Sequence, residues 1–288
     1  KSSVNFYNIK KCRACSSKKL IELINLGDQC FGGIFPSNKK QIVPTGPLQL
    51  MKCKKCSLIQ LNHNFNRGKM FGTNYGYESG INKSMKKHLK NLVKDSLSFV
   101  KLEKNDAVVD IGSNDGTLLK FFNKRQELFA IDPTINNKFR KHYPKNINCI
   151  SKLFDNITTK TLIKKIKKAK IVFSIAMFYD LPNPIKFANN VKQLIGDHGI
   201  WVSEQSYCPF MIKNNSFDTI CHEHLEYYSV TFIKSLMNKH GLRVFDHKYN
   251  EINGGSSAYF ICHKDAKFKT KSFKIKKIIK NEKKIGIE

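Results

Sequence analysis

From Asp106 onward the chain alternates short apolar runs with longer stretches of helical spacing. The runs at 107–111, 129–131, 147–150, 170–176, 199–204, 242–246 and 257–262 predict seven strands separated by helices. Most are apolar throughout rather than on alternate positions, the pattern of strands buried on both faces. The fold class expected is therefore α/β, with a seven-stranded, mostly parallel sheet covered by helices on both sides. Upstream, Leu89, Leu92, Val93 and Leu97 form one apolar stripe and predict an amphipathic helix near residues 85–100. In such sheets ligands bind beyond the carboxyl ends of the strands. Those ends carry Asp110, Asp132, Ser174 to Asp180 and Glu204, which are expected to converge on one cleft.

The first run leads into Asp110-Ile111-Gly112-Ser113-Asn114-Asp115-Gly116, with a helical pattern from Thr117. Strand, glycine turn and helix in that order let a ligand approach bare backbone and meet the free N–H groups of the new helix. Asp132 closes the next run about one βα unit later, where a ribose diol is gripped in nucleotide-binding sheets. The turn lacks G-x-G-x-x-G and lacks the Gly-Lys-Ser/Thr ending of a phosphate loop, so a ligand with adenosine but no required polyphosphate fits. S-adenosylmethionine is such a ligand. The plainer reading of this turn alone is any βα connection in an α/β protein.

Cys12-x2-Cys15 and Cys53-x2-Cys56 are two knuckles, each followed by serine. Two-residue spacing lets both sulfurs of a knuckle reach one ion, and two knuckles complete a closed four-thiolate site, which reads as structural zinc. The segment between them, with Pro36, Pro44 and Gly46-Pro47, has little core of its own and would draw folding energy from the metal. Two disulfides are the competing reading. Thiolate ligands must stay reduced, which points to the cytoplasm.

Lysine and arginine number 51 against 22 acids, a formal charge of +29. The cations are mainly lysine and are spread along the chain, so solvated surface is preferred over a nucleic-acid face. Anionic ligands, a sugar diphosphate among them, would be attracted. No apolar run reaches the roughly 20 residues of a membrane span, so a soluble protein without a membrane partner is expected. The chain starts at Lys1 rather than Met.

The densest chemistry lies at Asp218-Thr219-Ile220-Cys221-His222-Glu223-His224-Leu225-Glu226-Tyr227-Tyr228. Two imidazoles, a carboxylate between them and flanking tyrosines make a proton-transfer group. A His-x-His metal pair and a structural histidine cluster are the alternatives. Tyr75-Gly76-Tyr77-Glu78-Ser79-Gly80 could lid a ligand, and Asn253-Gly254-Gly255-Ser256 could bring backbone close to one. From Lys264 the chain is lysine-rich with no evident core, which reads as a solvated tail.

Taken in order, these motifs resemble the nucleotide-sugar C-methyltransferases, the S-adenosylmethionine-dependent enzymes typified by sugar C-3' methyltransferases. The resemblance rests on both cysteine knuckles, Tyr75-x-Tyr77-x-Ser79-Gly80, Asp110 to Gly116, Ile131-Asp132-Pro133, Asp218-Thr219-Ile220 before His222-Glu223-His224, and Gly254-Gly255-Ser256. It implies a zinc-binding domain over 1–66, a methyltransferase domain of Rossmann-like form over 67–265, and at 266–288 the entry to a further C-terminal α/β domain.

It also implies roles. His224 is the base that removes the proton next to a ketone, Glu223 orients it, and His222 and Tyr227 line the substrate side. Tyr75, Tyr77 and Ser79 close over the methionine moiety. Asp110, Gly112, Ser113, Asn114, Asp115, Gly116, Asp132 and Pro133 complete the cofactor set, and Cys12, Cys15, Cys53 and Cys56 hold zinc. Two positions depart from the pattern: Met177 stands where the better-studied enzymes carry histidine, and Cys221 where they carry tyrosine. Tyr179 is assigned a polar role near the cleft. The competing functions are a nucleic-acid methyltransferase with a zinc module, disfavoured by Ala176-Met177-Phe178-Tyr179-Asp180-Leu181-Pro182 in place of an Asn/Asp-Pro-Pro-aromatic loop, and a non-catalytic cofactor-binding protein. The sugar, its nucleotide, the carbon methylated and the oligomeric state are left open.

Overall fold

The computed structural model describes residues 6–32, 34, 36, 38–66, 70–71 and 75–287. Its centre is a seven-stranded sheet built from β6 (Ala107–Ile111), β7 (Glu127–Ile131), β8 (Ile147–Ile150), β9 (Ala169–Ile175), β10 (Ile195–Ser206), β12 (Leu242–Asn250) and β13 (Ser256–His263). The order is β12-β13-β10-β9-β6-β7-β8. β10, β9, β6, β7 and β8 run parallel, and β13 is antiparallel to both of its neighbours. All seven strands expected from the apolar runs are present, with ends extended by up to four residues. Each of the five residues of β6 is buried, as two-sided coverage requires.

One face of the sheet is covered as expected. Helices α2 (Asn156–Ile166), α3 (Pro184–Leu194), α5 (Val230–Lys239) and α6 (Ser272–Lys284) bury Leu162, Phe187, Val191, Ile233, Leu236, Ile275 and Ile278 in one cluster with the strand residues Val109, Val172 and Trp201. Three of the four starts are capped by side chains: Asp155 Oδ1 accepts from Thr158 N, Asn183 Oδ1 from Lys186 N and Ser229 Oγ from Phe232 N. The other face differs. Among the described residues only α1 (Lys83–Leu97) lies there, burying Met85, Leu89, Leu92 and Val93. Leu97, placed on the stripe from sequence, is 42% exposed, because the last turn has passed the edge of the contact.

The helix expected from Thr117 is a single 3-10 turn at Leu119–Phe121, and the crossover after β7 is a π-turn at Ile135–Phe139 running into a 3-10 turn at Arg140–His142. Short crossovers suffice because Leu118, Leu119, Ile135, Phe139 and Tyr143 plug the face with side chains instead of a helix.

The cysteine-rich end is not a metal-held loop. β2 (Leu20–Cys30) and β3 (Thr45–Cys53) form a long antiparallel ladder, extended by β4 (Ile59–Leu61), and β1 (Phe6–Asn8) pairs with β5 (His63–Phe65). The fourth strand of that ladder comes from far along the chain: β11 (Glu226–Tyr227) pairs antiparallel with β4, Glu226 opposite Gln60 and Tyr227 opposite Ile59. The segment after His224 thus completes the sheet of the zinc module.

The lysine-rich end is not a solvated tail either. α6 docks on the sheet, and Glu282, 1% exposed, accepts from Tyr207 Oη, Val230 N, Thr231 N and Thr231 Oγ1 at 2.5–2.8 Å. One carboxylate thereby caps the amino end of α5. The boundary expected between 66 and 67 borders residues 67–69, which lie outside the described residues, as does Glu288. No described helix is long and apolar enough to cross a membrane.

Candidate active site

The turn after β6 is tight. Gly112, Asn114 and Gly116 all have positive φ, 74°, 51° and 73°. A Cβ on Gly112 would sit 2.9 Å from Met177 Cγ, and one on Gly116 would sit 2.5 Å from the Tyr143 ring. Asn114 tolerates the left-handed conformation better than most residues. Its side chain is also used: Oδ1 accepts from Ser79 N at 2.9 Å while Nδ2 donates to Tyr77 O at 3.0 Å. Asp115 Oδ2 accepts from Gly80 N at 2.7 Å, and Lys138 Nζ donates to Tyr75 O at 2.8 Å and pairs with Glu78. The loop at 75–80 is therefore pinned over the glycine turn by four hydrogen bonds and an ion pair.

Beneath this loop lies a cavity of about 760 Å³, within the range of sites that bury a ligand of cofactor size. Tyr75, Tyr77, Ser79, Asp110, Gly112, Ser113, Asn114, Asp132 and Pro133 all line it. Asp115 and Gly116 do not; they stand behind the wall and shape the turn. Asp132 accepts from Asn114 N, Thr134 N and Thr134 Oγ1, which partly offsets the upward push of its burial. Asp110 is raised to about 8, by burial first and then by Asp132 and Asp115. The cradle of bare glycine backbone, a buried acid at the end of β7 and flanking tyrosines suits an adenosine ligand with a short charged tail.

The opposite part of the cavity is lined by Tyr179, Asp180, Asp218, Thr219, Cys221, Glu223 and His224. Half-buried His224 places Nδ1 2.9 Å from Thr219 O, and the Tyr179 ring packs edge-on against it with centroids 4.2 Å apart. A carbonyl only accepts, so Nδ1 carries the hydrogen and Nε2 keeps its lone pair. Burial lowers the pKa of the imidazole, opposed by the Thr219 contact and by Glu223, so the neutral, basic form prevails at neutral pH. Nδ1 is thus held by the Thr219 carbonyl, and Glu223 borders the same cavity. Burial also raises the phenol of Tyr179 and the thiol of Cys221, keeping both protonated.

Two residues expected on the substrate side lie elsewhere. His222 is fully buried in the zinc module, stacked 4.2 Å from Phe31 with Nε2 donating to Gly46 O at 3.0 Å. Tyr227 belongs to β11, and its hydroxyl lies behind His224, 3.4 Å from Thr219 O. Pairing of β11 with β4 carries Tyr227 out of the cavity, and the contacts with Gly46 and Phe31 hold His222 in the zinc module. Glu204 and Ser174 do not line the cavity either: Glu204 bonds His88 Nε2 at 2.7 Å and Asn250 Nδ2 at 2.8 Å, and Ser174 Oγ accepts from Trp201 Nε1. Sequence reasoning missed Lys152, Leu153 and Phe154 on the cavity wall. Their position just after β8 was the available signal, because every parallel strand offers its carboxyl end to the same cleft.

At the other pole, Cys12 Sγ lies 3.6 Å from Cys56 Sγ and Cys15 Sγ 3.5 Å from Cys53 Sγ, with all four sulfurs within 4.8 Å of one another. Tetrahedral ligands at about 2.3 Å from zinc would be about 3.8 Å apart, so the thiols need only a small adjustment. Ser16 and Ser57 close the two knuckles with matching positive φ, 56° and 60°, and all nine cysteines are free rather than disulfide-bonded. None of the four lines the cavity.

Comparison with known proteins fits this geometry. Residues 85–247 match the family model described as "Methyltransferase domain". The chain belongs to that family. Residues 12–71 match a second model, described as "Putative zinc binding domain". The methyltransferase is 27% identical over 255 residues to the C-methyltransferase NovU of Streptomyces niveus, covering 88% of this chain and 60% of that protein. It therefore spans less than two thirds of the length of this relative.

Among solved structures, the N-methyltransferase NodS of Bradyrhizobium japonicum WM9 with S-adenosylhomocysteine gives a TM-score of 0.46 at 11% identity, covering 64% of this chain and 89% of that one. LepI in complex with S-adenosylmethionine gives 0.47 at 15% identity, covering 60% and 46%. The chain thus carries a methyltransferase domain, of the kind that takes S-adenosylmethionine, and a zinc-binding module whose four cysteines converge as a structural site requires.

Proposed function

We propose that this methyltransferase transfers its methyl group to carbon, on a keto nucleotide-sugar, with His224 as the base. The observation that carries the reading is that the glycine turn after β6 and the imidazole of His224 border one cavity. The name of the Streptomyces niveus relative supports carbon as the acceptor, and the motif order from Tyr75 to Ser256 supports a sugar substrate.

A carbon beside a ketone is acidic because the resulting carbanion is delocalised onto oxygen. His224 Nε2 takes that proton, and Nδ1–H stays fixed on Thr219 O so that the ring keeps its orientation while it becomes charged. Glu223, on the same wall, stabilises the imidazolium that forms. When bound, S-adenosylmethionine would supply the electrophilic methyl of its sulfonium, the carbanion's electron pair forming the C–C bond as the S–CH3 bond breaks and S-adenosylhomocysteine leaves. Tyr75, Tyr77 and Ser79, held by Asn114 and Lys138, would close over the cofactor and exclude water. Zinc takes no part in these steps, and its thiolates are compatible with a reducing cytoplasm.

Incubation with labelled S-adenosylmethionine and a panel of 4-keto nucleotide sugars tests the reading. Label should appear on carbon, and in D₂O without cofactor the substrate should exchange one proton. A protein that binds the cofactor but neither exchanges nor methylates any member of the panel would overturn it.

A further inference from the structure

His222 and His224 are two residues apart, yet they belong to different parts of the molecule. The His222 imidazole is 0% exposed, stacked on Phe31 at 21° between ring planes and edge-on to Phe65 at 4.9 Å. Its Nε2–H donates to the carbonyl of Gly46, 176 residues earlier in the chain. Gly46 lies in β3, the strand that ends at Cys53, and its missing Cβ leaves room for these rings: one would stand 3.1 Å from Phe65 and 3.4 Å from Phe31. On the far side of His224 the chain is held again. Leu225 N donates to Tyr179 O and Leu225 O accepts from Leu61 N, after which β11 pairs with β4, three residues beyond Cys56.

We propose that His222 is a positioning residue that fixes the register of the cavity segment against the zinc module, so that the four-cysteine site governs where His224 stands. The segment has one anchor on each side of His224, and both lie on strands joined to the Cys53-x2-Cys56 knuckle, β3 running into it and β4 leaving it. Between them the imidazole meets the Thr219 carbonyl and the edge of the Tyr179 ring, with Glu223 acting on it electrostatically. A shift of about 1 Å in a reacting group is enough to lower turnover roughly a hundredfold. The catalytic consequence rests on the reading of His224 as base, whereas the positional claim stands without it.

Two substitutions separate the parts of the anchor in zinc-loaded, full-length chain. His222→Phe keeps the stacking and removes the donor to Gly46. His222→Gln keeps a donor at similar reach and removes the ring. The readout is the tautomer and titration of His224 by long-range ¹H–¹⁵N spectroscopy, which requires no substrate, together with kcat and KM for S-adenosylmethionine. The groups facing that ring are Glu223, Tyr179 and the Thr219 carbonyl, none of them altered.

In the wild type His224 should be Nδ1-protonated. His222→Phe should give a mixture of tautomers and a kcat lower by about 10- to 100-fold, with KM for the cofactor within about twofold. His222→Gln should recover part of both. Bound zinc should remain at the wild-type ratio in each. A wild-type His224 spectrum and unchanged kcat in both variants would overturn the proposal, and so would a fall in cofactor affinity matching the fall in turnover. If the wild type methylates no keto sugar, the functional reading fails while the tautomer measurement still decides the positional one.

Discussion

At the scale of single residues, the proposed reaction turns on the Nε2 lone pair of His224. His224→Ala should lower methyl transfer by about 10²–10⁴-fold while cofactor affinity, measured by calorimetry, stays within a few-fold, because the adenosine wall is built from other elements. The pH dependence has a definite sign. Burial lowers the pKa of His224 from 6.5, so the base is neutral through the physiological range and kcat should decline only on the acid side, below about pH 6.5. Stability follows the same direction. His63, His222, His224 and His247 all have lowered values in the folded chain, with His247 at about 3.

The unfolded chain therefore binds more protons between those values and 6.5. Stability is complete above that window and is lost as pH falls through it, at up to about 1.4 kcal/mol per pH unit for each such group. Asp110, Asp132 and Glu226, raised in the folded chain, act with the opposite sign over the same range, so the histidine part is read as the urea-midpoint advantage of wild type over His247→Asn, which should shrink from pH 7.5 to 5. Local chemistry made much of this site legible in advance: Asp110, Gly112 and Asp132 announce a cofactor turn because strand, glycine and acid are neighbours in sequence. His222 and His224 could not be told apart, since the partners that divide them, Gly46 and Thr219, lie 176 and 5 residues away.

At the scale of elements, the glycine turn is where geometry leaves least latitude. Gly116 has φ of 73° and faces the Tyr143 ring, whose hydroxyl in turn donates to Asn114 O and meets Ser113 Oγ at 2.8 Å. Gly116→Ala should cost about 1–3 kcal/mol, from left-handed strain and from displacement of that ring, and should weaken cofactor binding because Ser113 and Asn114 move with it. Thermal unfolding with and without S-adenosylmethionine checks both. Strands were readable because seven apolar runs carry the period of a buried sheet. The missing helices after β6 and β7 were not, because Thr117 to Phe122 has helical spacing over only about one turn and packing decides the rest. β11 was invisible for the same reason: two residues hold no period, and only its partner β4 makes it a strand.

At the scale of the whole molecule, metal and catalysis are joined by strand pairing rather than by contact. Removing zinc with a strong chelator, or replacing Cys53 with serine, should loosen the β2–β3–β4 ladder and with it the pairing of β11 to β4. The expected result is loss of methyl transfer, with cofactor binding at the β6 turn reduced far less. Metal analysis, activity and calorimetry on the same sample check this. The two ends of the chain read as separate from the large cavity in sequence, because hydrophobic spacing reports neighbours along the chain and says nothing of a ladder closed by residue 226.

That closure has a practical bearing on dissection. A fragment of residues 1–66 would fold around its zinc with the outer side of β4 unclothed, Phe31 and Phe65 lacking the imidazole that packs on both, and the Gly46 carbonyl without its donor. An orphan edge of this kind recruits strands from other molecules. Sedimentation of that fragment should show concentration-dependent self-association, relieved by a peptide spanning residues 219–229. What looks like a removable appendage is instead one half of a clasp whose other half is threaded through the catalytic core.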